Sequence, residues 1–185
     1  MTGVTSHLSI WQRTRGLLAA AAVAWALTTL IDLGWPMLQL WFASTFLQYD
    51  GYVPPLAQVV SWIALYAIFG LPLALIVCLA IGFPAWRFAE KKGLATRLDA
   101  VRVGAVVALI IGLTGISLGV LASLSTALND SSTFDSWSWG RQVVRDGLPT
   151  PLGWVFTAID LLATVGIGCV AGYAAWTVAG VKSTA

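Results

Sequence analysis

The sequence predicts an all-α integral membrane protein with four transmembrane helices in a bundle. Three observations carry this reading. Of the 185 residues 58% are apolar and only 10% charged, whereas an ordinary soluble domain is about a quarter charged. Four apolar runs are each long enough to cross a bilayer, which takes about 20 helical residues. Basic and acidic residues also segregate to opposite sides of those runs. None of the runs shows the apolar/polar alternation of a barrel strand, so helices are the structure that satisfies the backbone in lipid.

The helices are expected at about residues 17–35, 56–82, 101–124 and 152–178, forming one domain over 1–185. In the first, Arg13 and Arg15 precede Ala22-Val23-Ala24 and Ala24-Trp25-Ala26, as in a secretory leader. The apolar run continues through Leu27, Leu30, Ile31 and Leu33, which favours a retained anchor. The outer loop 36–55 repeats Leu38, Trp41, Phe42, Thr45, Phe46 and Tyr49 at helical spacing. It reads either as a short helix in the interface or as a bent continuation of the first span. In the second helix, Pro72 removes a backbone donor, so a kink is expected there. Residues 83–100 form the cytoplasmic loop, and 125–151 the second outer loop, with one short helical piece from about Trp139 to Asp146.

Charge sets the orientation. The two termini, the loop 83–100 and Arg102 just after it carry eight basic against two acidic residues, while the opposite side carries two basic against six acidic. By the positive-inside rule both termini are cytoplasmic. Trp11, Trp86 and Trp176 then fall near the inner interface, and Trp35, Trp41, Trp137, Trp139 and Trp154 near the outer one, the depth an indole prefers. Trp25 and Trp62 lie deeper and read as packing residues.

Helices in lipid associate through small residues that let backbones approach. The second helix has Gly70, Ala74, Cys78 and Gly82 in line. The third has Gly104, Ala108, Gly112, Gly115 and Gly119, and the fourth has Thr164, Gly168 and Gly172. These stripes serve either an intramolecular bundle or contacts with a second copy or a larger membrane complex.

Much chemistry lacks its parts. His7 is the one histidine, and Cys78 and Cys169 have no CxxC or Cys/His partner, so haem, metal and His-dependent proteolytic sites are not expected. No phosphate-cradling glycine loop occurs. A net charge of +2 without a basic stripe gives no nucleic-acid signal.

Asp32, near the outer end of the first helix, and Asp160, about two turns into the fourth, are the acids within the apolar runs. An intramembrane carboxylate is costly to ionise without a partner, which makes Asp160 the candidate functional residue, with Thr157 and Thr164 on its line. Two readings stand side by side. Asp160 is structural, hydrogen-bonded to those threonines or paired with Arg141 or Arg145, or it handles a proton or cation.

Four passes, both ends inside and an acid in a helix resemble small multidrug transporters. The chain departs from them in its large outer loops and in lacking a glutamate in the first helix. Over its whole length it is similar to small four-pass inner-membrane proteins of bacteria. The resulting expectation is a non-enzymatic accessory, assembly or immunity component of a bacterial inner membrane, without cofactor or metal, acting by lateral helix contacts. Its runner-up is a small ion- or proton-coupled transporter or channel subunit using Asp160.

Overall fold

A computed structural model of the protein describes residues 9–34, 36–38, 54–93, 96–128, 135–138 and 141–180. They form four helices long and apolar enough to cross a membrane: α1 (Ile10–Leu38), α2 (Leu56–Lys91), α3 (Arg97–Leu128) and α4 (Pro151–Ala179). Between α3 and α4 lies a small antiparallel sheet of β1 (Ser136–Ser138), β2 (Arg141–Arg145) and β3 (Leu148–Pro149).

Every helix is longer than apolarity alone suggests, because caps and amphipathic turns extend it. At the start of α1 the Ser9 hydroxyl accepts from the Gln12 N–H at 3.2 Å, and the Gln12 side-chain oxygen accepts from the Ser9 N–H at 2.9 Å, a capping box. Thr96 and Asp99 cap α3 in the same reciprocal way. Phe83–Lys91 remains helical, with Arg87 over the Phe83 ring at 5.7 Å and Lys92 over Phe88 at 4.9 Å. The expected loop 83–100 therefore shrinks to residues 92–96.

The kink expected at Pro72 is a widened turn, and it recurs. Five-residue π-helical turns occupy Leu30–Gly34, Tyr66–Gly70 and Cys78–Gly82. Each ends on a glycine two residues before Pro36, Pro72 or Pro84. Proline offers no N–H and crowds the carbonyl four residues back, and a wide turn relieves both problems. The Gly-x-Pro triplets are the sequence signal for these turns.

The segment between α3 and α4 contains strands where a helical piece is expected. Asp146 (φ 50°) and Gly147 (φ 76°) are both left-handed, the conformation of a two-residue Asp-Gly hairpin turn. Val144 pairs with Pro149 and Arg145 with Leu148 across it. Val143 and Val144, β-branched neighbours, favour the strand. Thr150 then ties the hairpin to α4: its hydroxyl donates to the Gln142 carbonyl at 3.0 Å and accepts from the Gly153 N–H at 3.1 Å. Gly180 (φ 69°) closes the other end of α4. Of the expected helix in 36–55, Leu38 is helical with Pro36 and Met37; residues 39–53 lie outside the described residues.

Helix α4 packs along both α1 and α3, and α1 packs in addition on the middle of α2. Packing is uneven along the helices. The buried apolar residues Leu17, Ala20, Ala21, Ala89, Ala108, Ala171, Ala175, Trp176 and Ala179 all lie toward the end where α1 and α3 begin and α2 and α4 finish, the basic end. There Arg13 holds Glu90 (Nη2 to Oε2, 2.9 Å), which also accepts from the Trp86 indole at 3.0 Å. Arg97 sits over the Trp176 ring at 5.1 Å. The opposite, hairpin end has no comparable core among the described residues.

Candidate functional site

The small-residue stripes meet different fates. On α3 and α4, Gly104 faces the Gly168 carbonyl, Gly168 faces Ala108, and Gly172 faces the Ala100 carbonyl, all too close to admit a Cβ. Gly112 meets the Leu161 side chain. On α2, Gly82 faces Leu17, and a Cβ on Gly70 would lie 3.2 Å from Trp25 Cδ1. The Trp25 indole donates to the Tyr66 carbonyl at 2.9 Å, so Trp25 is more than packing: it satisfies a backbone oxygen inside the widened turn. Cys78 packs against the Ala20, Ala171 and Ala175 cluster, and Ala74 is half-buried between Gly70 and Cys78. Gly115 and Gly119 differ from the rest of the α3 stripe. Both are exposed, and among the described residues nothing lies within 4 Å of where their Cβ would sit.

At the hairpin end an open cavity of about 1030 Å³ lies between α1, the sheet and α4 among the described residues. Leu30 and Ile31 line it from α1, Val143 and Val144 from β2, and Phe156 and Asp160 from α4. Asp160 is exposed, as is Asp32, and the two carboxylates are near enough to act on each other through space. Thr157, which also lines the cavity, donates its hydroxyl to the Gly153 carbonyl at 3.0 Å, and Thr164 donates to the Asp160 backbone carbonyl at 2.8 Å. Those hydroxyl protons are therefore spent on the helix backbone instead of the Asp160 carboxylate, as is usual for threonine within a helix.

Arg141 and Arg145 sit at the two ends of β2, both exposed, and Arg145 lies 3.8 Å from Asp146. Among the described residues no ion pair joins either arginine to Asp160. The hairpin's strand geometry explains this: β2 presents Val143 and Val144 to the cavity and carries the two arginines at its exposed ends.

Among the described residues no three metal-ligating side chains gather. The cavity thus offers one carboxylate, Asp160, in a largely apolar wall. Comparison with family models, with curated proteins and with solved structures gives no match to this chain.

Proposed function

We propose that the protein is a multi-pass inner-membrane protein of bacterial type that acts as an accessory, assembly or immunity component through lateral helix contacts and catalyses no reaction. In this reading the four helices form a bundle with the basic end and both termini in the cytoplasm. The segregation of arginine and lysine to that end supports the orientation. The observation that carries the function is the vacant half of the α3 stripe. Gly104, Ala108 and Gly112 are occupied by α4, while Gly115 and Gly119 continue the same line with nothing against them among the described residues. Small residues lower the distance of approach for a second helix, and the exposed Leu118 beside them supplies apolar contact. The occupant in this reading is a helix of a larger membrane complex or of a second copy.

Purification in mild detergent tests this. The wild-type chain should retain a stoichiometric membrane partner or a second copy, and Gly115→Leu/Gly119→Leu should lose it with unchanged thermal unfolding. A wild-type chain that purifies as a monomer, or that turns over a substrate alone, would contradict the proposal.

A further inference from the structure

The last turns of α2 carry a surface distinct from the α3 stripe and from the hairpin-end cavity. Pro84, Arg87, Phe88 and Lys91 recur at helical spacing and all are exposed, as is Lys92 at the helix end. The opposite face is committed to the bundle, with Ala89 buried and Trp86 and Glu90 half-buried. Countercharge is missing from the exposed face. Glu90 is held by Arg13 and the Trp86 indole, and Asp99 by Thr96 and Arg102. Among the described residues no carboxylate is paired with Arg87, Lys91, Lys92 or Arg97. The segments 1–8, 94–95 and 181–185 contain no Asp or Glu. Arg87 and Lys92 lie instead over the Phe83 and Phe88 rings, contacts that leave their charge unneutralised.

Length sets the depth of this face. The apolar run 56–82 extends about 40 Å at about 1.5 Å per residue, more than the about 30 Å of bilayer hydrocarbon. Residues 83–91 therefore fall in the headgroup layer. An anionic bilayer surface there takes the cations and the Phe88 ring, 59% exposed between them, in one contact continuous with the apolar span. We propose that the exposed face of residues 84–92 binds the surface of an anionic phospholipid bilayer, with Arg87, Lys91 and Lys92 on headgroup phosphates and Phe88 at the acyl boundary.

Energy transfer from the tryptophans to pyrene-labelled lipid tests this, with the full chain reconstituted in phosphatidylcholine vesicles. Two probes carry the same chains and differ in headgroup: anionic phosphatidylglycerol and zwitterionic phosphatidylcholine. The wild type should associate with the anionic probe at least about fivefold more strongly. Arg87→Gln/Lys91→Gln/Lys92→Gln should cut that ratio at least about threefold, whereas the charge-conserving Arg87→Lys/Lys91→Arg/Lys92→Arg should keep it. Lys91→Gln/Lys92→Gln, confined to the exposed end of the helix, should cut it about twofold and keeps the test decisive if the triple variant fails to fold. Arg141→Gln/Arg145→Gln, on the sheet, should leave it unchanged. Equal association of both probes with the wild type would overturn the proposal and leave an acidic protein as the source of countercharge. So would an unchanged ratio in the folded neutralised variants, or an equal fall in the Arg141→Gln/Arg145→Gln variant.

Discussion

At Gly104 a methyl group would fall on the Gly168 carbonyl oxygen, and at Gly119 it would meet nothing among the described residues. The same substitution in one helix should therefore have two outcomes. Gly104→Ala forces α3 and α4 apart and is expected to cost about 1–3 kcal/mol. Gly119→Ala should stay within about 0.5 kcal/mol. Thermal unfolding in detergent reads both. Glu90 gives a second residue-scale test, since it receives both Arg13 and the Trp86 indole with its side chain only 26% exposed. Glu90→Gln leaves the guanidinium half-partnered and is expected to cost about 1–3 kcal/mol. Double substitution with Arg13→Gln should recover part of that loss, and a strictly additive cycle would show that the pair is uncoupled. The small-residue spacing was legible in the sequence. Which glycines are filled was not, because occupancy depends on how far α3 and α4 diverge. The Thr157 and Thr164 hydroxyls show the same limit: their place on the Asp160 line is readable, but the preference for the i−4 carbonyl decides their partner.

Elements were legible wherever apolar length alone defines them. All four spans follow from that pattern, because only a helix can satisfy its own backbone over such a run. Their ends did not follow, since Ser9-x-x-Gln12 and Thr96-x-x-Asp99 add polar caps that hydropathy ignores. The loop after α3 shows the other failure. A short helical piece is expected from about Trp139 to Asp146, whereas Asp146-Gly147 is a hairpin signal at short range. That turn gives an element-scale prediction. Gly147 at φ 76° is buried, so Gly147→Ala should destabilise the hairpin by about 1–2 kcal/mol, whereas Asp146→Asn keeps a side chain tolerant of the left-handed region. Near-UV circular dichroism of the neighbouring Trp154 should lose intensity at lower temperature in the alanine variant alone. Equal melting of both variants would show that the turn does not hold the sheet.

For the whole molecule, the uneven packing organises function. Alanine and glycine draw the helices together at the basic end, where Arg13–Glu90 and Arg97–Trp176 lock α1 to α2 and α3 to α4. Toward the hairpin end the core thins out among the described residues, leaving both the cleft beside Asp160 and the unfilled part of the α3 stripe. In the proposed function, a molecule closed at one end and open at the other would offer its contact surfaces within the membrane. The most direct measurement is photo-crosslinking in native membranes from two positions on α3: Gly119 on the vacant stripe, and Val106, exposed on the closed half. One discrete adduct of defined mass is expected from position 119 and only lipid adducts from position 106. Identical crosslinking from both positions, or lipid adducts alone from position 119, would contradict it.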